Sequence, residues 1–333
     1  MTDEVLNTET QALLDSDTVQ KGPEGYARHV REFTSDDGKV KFHASAQGGQ
    51  IWDLVINKFS VMFALAHAHS VSIDKRPTVE FRNEFEEGET TEPGGSWLSF
   101  ARNKVPDGKG GFIKRPVHGH FSAPWFRFAI DKVQSTGNSL RLLGKSIDKF
   151  FLENESYDVV RTMTARSADG DNRPAQVIEN VITKHGTNEE ASPEIIEHMY
   201  LNSGKGAYIL GANGEKIRPE DLPHAEEKND NKIDSRINPP QISKPGECVF
   251  FPNGDTGPVI VMHAAYKVGE NLPIQVTEFC VYRINYDDPW TAIEPSVPPT
   301  KLTDGESITM TVSVETYETI DEYYAIHPKQ VAA

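Results

Sequence analysis

The last third of the chain limits the possible folds most. Four segments there, 248–251, 259–268, 274–285 and 307–314, are rich in Val, Ile, Phe, Tyr and Thr, and Gly, Pro, Asn and Asp lie between them. β-Branched and aromatic residues fit a pleated, half-buried surface, and the intervening residues favour reversal of the chain. These segments predict an antiparallel sheet. A Pro-rich linker over 288–300 is expected to set the last strand apart, and 319–326 to form a short terminal helix.

Upstream, apolar spacing predicts helices. Ile51, Trp52, Leu54, Val55, Ile56, Phe59, Met62, Phe63 and Leu65 recur at helical intervals on more than one side, as in a buried helix over 51–66. Residues 139–152 carry leucines, Ile147 and phenylalanines at similar spacing. Further helices are expected over 174–185, with Pro174 in the first turn, and over 193–201, with Ser192 as N-cap. Alternation predicts strands at 39–44, 79–82, 97–105 and 112–128, the last two joined by a Gly-rich turn over 106–111.

The fold class expected is α+β, with helices mainly in the first two-thirds and an antiparallel β-sheet forming the C-terminal third. Its organisation is a mobile polar arm (1–25), an α+β region (26–201) with a basic-aromatic segment at 102–149, an exposed hairpin and loop (202–246), and a β-rich region (247–333) packed on the preceding part. In the third unit, 207–210 and 216–217 flank the turn Ala212-Asn213-Gly214.

Hydrophobic residues make up 37% of the 333 and charged residues 25%, enough for a core and against whole-chain disorder. Lys and Arg number 34 against 50 Asp and Glu, a net charge of −16. That balance argues against a generally basic coat protein and against adsorption to anionic membranes, while leaving room for a local basic groove. The first residues lack a basic n-region and an apolar h-region, and no apolar run approaches the ~20 residues needed to span a bilayer. A cytoplasmic location is expected, with Cys248 and Cys280 as reduced, buried thiols.

Charge is unevenly distributed. From 102 to 149 there are ten bases and three acids, a net of +7, whereas 285–333 holds nine acids and two bases, a net of −7. Aromatic residues interleave the basic run. Basic side chains track a phosphate backbone and exposed rings stack unpaired bases. Arg102, Lys104, Lys109, Lys114, Arg115 and Arg127 are the phosphate-binding candidates, with Phe112 and Trp125 as stacking platforms. The alternative is a solvated basic face whose phenylalanines point into the core.

His118 and His120, two apart on an expected strand, share one face and form the candidate metal pair, with His43, His263 or Glu278 as a further ligand. His67 and His69 point apart if they continue a helix. Asp255-Thr256-Gly257 follows Asn253-Gly254 and reads as a turn, while Gly204-Lys205-Gly206 lacks the rest of a phosphate loop. The acid run from Glu80 to Glu92 lacks the spacing of a calcium loop. No nucleophile elbow occurs, and no stretch matches the motif set of a named family.

The function these features predict is non-catalytic binding of single-stranded nucleic acid, single-stranded DNA included, through the basic-aromatic surface. Its alternatives are a structural subunit of a self-assembling particle and a metal-dependent enzyme using His118 and His120. No cofactor is indicated. The expected partners are single-stranded nucleic acid and further copies in a homo-oligomer or larger assembly, with no membrane.

Overall fold

Among the described residues, strands run from Thr18 to Tyr317 and are not confined to the last third. The computed structural model describes residues 18–21, 27–44, 51–62, 96–102, 104–106, 112–114, 128–146, 156–187, 193–221, 233–237, 244–283, 289–298 and 300–327. In chain order the strands begin with β1 (Thr18–Lys21), β2 (Ala27–Thr34), β3 (Val40–Ala44), β4 (Ile51–Ile56), β5 (Phe59–Ser60), β6 (Ser96–Arg102), β7 (Lys104–Pro106) and β8 (Phe112–Lys114). Next come β9 (Phe128–Ser135), β10 (Ser139–Ser146), β11 (Ser156–Arg166), β12 (Ala175–His185), β13 (Pro193–Asn202), β14 (Tyr208–Leu210), β15 (Lys216–Ile217) and β16 (Ile233–Ile237). The series ends with β17 (Glu247–Phe251), β18 (Val259–Val268), β19 (Ile274–Gln275), β20 (Glu278–Arg283), β21 (Trp290–Val297), β22 (Ser307–Tyr317) and, among the described residues, one α-helix, α1 (Ile320–Ile326).

Two antiparallel sheets of ten strands each form a sandwich. The first runs β1-β2-β3-β4-β6-β13-β21-β20-β16, with β5 beside β4. The second runs β15-β14-β17-β18-β22-β12-β11-β10-β9, with β19 beside β18, and β7 and β8 form a separate hairpin. Alternate residues of each strand point between the sheets: Phe42, Leu54, Met199, Phe279 and Ile293 from the first meet Leu142, Val159, Ile178, Met262 and Val312 from the second in one buried cluster. Opposing inner faces joined in this way are how two sheets remove apolar surface from water.

The α+β expectation is therefore corrected. The expected helix over 51–66 is β4 and β5 as far as it is described, 139–152 contains β10, 174–185 is β12, and 193–201 lies within β13. The Pro-rich linker holds β21, all eight of whose residues are buried between β13 and β20. In β12 burial follows a two-residue period from Ile178 through Asn180 and Ile182 to Lys184. Asn180 and Lys184 are inward residues. Assigning them to solvent leaves the apolar remainder at helix-like intervals, which produced the wrong period. Strands do occupy the expected hairpin around Gly214 and most of the last third, and α1 begins at Thr319, whose side chain accepts a hydrogen bond from the Glu322 N–H at 3.0 Å. The segments 79–82 and 84–92, with His67 and His69, lie outside the described residues.

A buried polar cluster inside the sandwich ties its layers together. Arg161 of β11 forms two hydrogen bonds to Glu197 of β13, Nη1 to Oε2 at 2.6 Å and Nη2 to Oε1 at 2.8 Å. Asn180 of β12 accepts from Arg161 at 2.9 Å and donates to Glu197 at 2.9 Å. Arg161, Asn180 and Glu197 are all 0% exposed. Removing one partner would leave an uncompensated charge in the core. Arg161→Met is expected to cost ~3–5 kcal/mol in urea unfolding, and the pair Arg161→Met/Glu197→Leu to recover most of it. A single-variant loss below ~1 kcal/mol would show that the bridge contributes little.

Candidate functional site

The side chains of β13 that point away from the core are Ile196, His198 and Tyr200, which belong to the first sheet's outer face yet are buried. β21 contributes Trp290, Ala292, Glu294 and Ser296 to that same face. The β13–β21 ladder is interrupted between the pairs Ile196↔Ser296 and Met199↔Ile293, at the level of Pro295, which has no N–H to give. Within that interruption the His198 Nδ1 lies 2.7 Å from Glu294 Oε1, with the side chains 3% and 0% exposed. Cys280 stands opposite Glu294 in the β20–β21 register, and the Tyr200 and Trp290 rings lie 4.8 Å apart at the edge of the pair.

The contact from Nδ1 fixes the orientation of the imidazole ring. A carboxylate and an imidazole held together can accept one proton and deliver another, provided a substrate presents both sites within hydrogen-bond reach.

The same outer face carries a second histidine. His43 of β3 lies with Nδ1 2.7 Å from Asp53 Oδ1 of β4 and Nε2 3.5 Å from Glu32 Oε2 of β2. Three strand spacings, about 14 Å, separate β3 from β13. The hydrogen bond to Asp53 raises the pKa of His43 above its ordinary value, against the opposing effect of partial burial, while Asp53 and Glu32 also favour the cation and Lys41 opposes it.

Cys248 and Cys280 are free and buried, and burial pushes the Cys248 thiol up to about 12, so it is not a thiolate at neutral pH. Among the described residues, no group of three or more His, Cys, Asp or Glu could hold a metal ion, and no helix is long and apolar enough to cross a membrane.

No family model matches the chain, and no curated protein matches it in sequence. Solved structures match in fold. A candidate aldose 1-epimerase from Escherichia coli K12 has a TM-score of 0.53 at 12% identity, covering 87% of this chain and 99% of its own. The GalM/aldose epimerase homologue from C. elegans has a TM-score of 0.52 at 12% identity, with the same coverages of 87% and 99%. Galactose 1-epimerase from Lactobacillus acidophilus has 0.51 at 8% identity, covering 91% of this chain and 99% of its own. At these identities the likeness establishes the fold alone, a β-sandwich that this chain shares with these solved structures.

The expectation of a non-catalytic nucleic-acid-binding protein, with its structural-subunit alternative, is corrected by this likeness, since the solved structures that share the fold are named as aldose and galactose 1-epimerases. The described part of the basic-aromatic run also spans separate sheets. Arg102 ends β6 in the first sheet, opposite Pro193, while Lys104 faces Lys114 and Pro106 faces Phe112 in the β7–β8 hairpin. Lys132, Arg141 and Lys145 are exposed on β9 and β10 of the second sheet. Lys109, Arg115, His118, His120, Trp125 and Arg127 lie outside the described residues. Of the other metal-ligand candidates, His43 is bonded to Asp53, and His263 lies between Glu247 and Glu315 at 3.5 and 3.6 Å.

His198 and Glu294 were hidden because one fell in an expected helix and the other in an expected linker. The usable signal was an acid inside the apolar run Trp290–Val297, since a buried carboxylate requires a partner.

Because the folded pKa of His43 is raised, its pairing stabilises the fold fully below the unfolded value of about 6.5 and ceases to do so as pH rises through the folded value. NMR titration is expected to place His43 above about 6.5, and Asp53→Asn to lower it. The stability gap between wild type and Asp53→Asn should be wider near pH ~5.5 than near pH ~8.5. A gap that widens with rising pH would contradict the assignment.

Proposed function

We propose that this chain is a carbohydrate-active enzyme that interconverts the anomers of an aldose, with His198 and Glu294 as its proton-transfer pair. The observation that carries the reading is the buried 2.7 Å contact between them on a sandwich of the aldose-epimerase type.

Anomer exchange needs no redox change and no group transfer. The Glu294 carboxylate takes the proton of the C1 hydroxyl as C1=O forms and the bond from C1 to the ring oxygen breaks. The electron pair released to the ring oxygen takes a proton from Nε2 of the His198 imidazolium. Rotation about C1–C2 presents the other face of the aldehyde, and ring closure returns both protons. Each atom and charge is then restored, so the pair turns over without a cofactor. Holding both groups beside one hemiacetal replaces solvent encounters with a fixed geometry, and each positioned proton transfer is worth about 10²–10⁴-fold. On this reading the buried rings of Tyr200 and Trp290, 4.8 Å apart on the same face, would meet the C–H face of the sugar ring.

Polarimetry of freshly dissolved α-anomers of glucose and galactose tests the reading. The protein is expected to accelerate mutarotation over buffer, and His198→Asn and Glu294→Gln each to reduce kcat by about 10²-fold or more, with melting temperatures that keep the variants folded. No acceleration with a panel of aldoses, or full activity in both folded variants, would overturn it.

A further inference from the structure

The second sheet carries a groove of its own on its outer face, on the opposite side of the sandwich from His198. It encloses about 430 Å³, within the range of small-molecule sites. Its lining includes Tyr208, Lys216, Lys244, Glu247, Tyr324 and His327, brought together by β14, β15, the start of β17 and the C-terminal end of α1. We propose that this groove is a second binding site, for a neutral polyhydroxylated ring such as a sugar unit.

Its aromatic wall is preformed. The Tyr208 ring stacks on Phe251 at 4.4 Å, Tyr323 meets Phe251 edge-on at 6.3 Å, and Tyr323 stacks on His327 at 4.7 Å. Tyr324, 5.3 Å from Tyr323, is half-buried and presents part of its ring to the groove. These rings pack on one another as a small cluster separate from the main core, so they are held without a ligand. The opposite wall is the turn after β14, where Gly214 has φ +79° and Glu215 Oε2 accepts the Asn213 N–H at 2.8 Å.

Charge decides the class of ligand. Lys216 Nζ donates to Asp255 Oδ1 at 2.7 Å, and Tyr208 donates to that same oxygen at 2.7 Å. Lys244 Nζ lies 2.7 Å from Glu247 Oε2. Each lysine of the lining is thus matched by a carboxylate, so the two pairs bring no net positive charge to attract a phosphate or carboxylate ligand. A neutral polyol requires none. An ammonium has three N–H donors and a carboxylate accepts through two oxygens, so the two ion pairs can bond to neighbouring hydroxyls while remaining paired. Alternating hydroxyls over a C–H face match an arrangement of ion pairs beside aromatic rings. Lys216 also lies 4.8 Å from the Tyr208 ring centre, so its charge is held over the aromatic wall.

The site is independent of the proton-transfer pair, and its test is built to separate the two. Full-length protein with ¹³C-labelled tyrosine is titrated with glucose, galactose and maltose, and separately with inorganic phosphate, while the Tyr208 and Tyr324 ring signals are followed by NMR. Saturable shifts of both rings with at least one sugar are expected, in wild type and equally in Glu294→Gln. Lys216→Ala, checked by its melting curve, should weaken that binding about ten-fold or more as read from Tyr324, and Tyr324→Ala should do the same as read from Tyr208. Ring signals that stay unmoved with every sugar, shifts that vanish in Glu294→Gln, or shifts produced by phosphate alone would each overturn the proposal. Absence of mutarotase activity in the wild type with the Tyr324 response intact would count against the proton-transfer reading and leave this one standing.

Discussion

The buried bridge from Arg161 to Glu197 is the interaction on which the candidate site depends. It joins the two sheets through their shared core, and its acidic partner is the residue immediately before His198. Side chains alternate along a strand, so fixing Glu197 inward fixes His198 outward. A slip of β13 by one residue would bring the imidazole into the core and the carboxylate out. Buried ion pairs contribute little net stability compared with apolar packing, but they penalise wrong registers heavily because a misplaced charge has no partner. In this sandwich the penalty falls on the strand that carries the proposed acid.

From that anchored strand the outer face follows. Pro295 lies where the β13–β21 ladder is interrupted, and His198 meets Glu294 there at 2.7 Å. The two outer faces of the molecule then differ in kind. The first sheet presents ionisable pairs, His43 with Asp53 and His198 with Glu294, on its outer face. The second presents aromatic rings packed under α1, with its ion pairs at the rim of a groove. Proton chemistry suits the first arrangement and recognition of a neutral ring the second.

Much of the strand content of the last third was legible in the sequence because its residues alternate conventionally, as in Val312 and Val314 facing in between Thr311, Ser313 and Glu315. The hairpin around Gly214 and the capped helix at Thr319 were legible from local turn and cap chemistry. The strands taken for helices failed for a physical reason. Asn180, Lys184 and Glu197 face inward, where a binary pattern admits only apolar residues, so the apparent period changed. The pair His198 and Glu294 shared that fate, since its partners are 96 positions apart and meet only through strand order. The excess of basic residues at 102–149 was real in composition, but its described members are divided between two sheets and a hairpin, a division that linear charge density does not reveal.

A crystal structure of the Glu294→Gln variant with an aldose bound would test the central claim most directly. The expected result places the C1 oxygen within about 2.6–3.2 Å of the residue-294 side chain and the ring oxygen within the same reach of His198 Nε2, with the ring face against Tyr200 and Trp290. A sugar bound with C1 far from both groups, or no sugar on that face at saturating concentration, would contradict the assignment of His198 and Glu294 to anomer exchange.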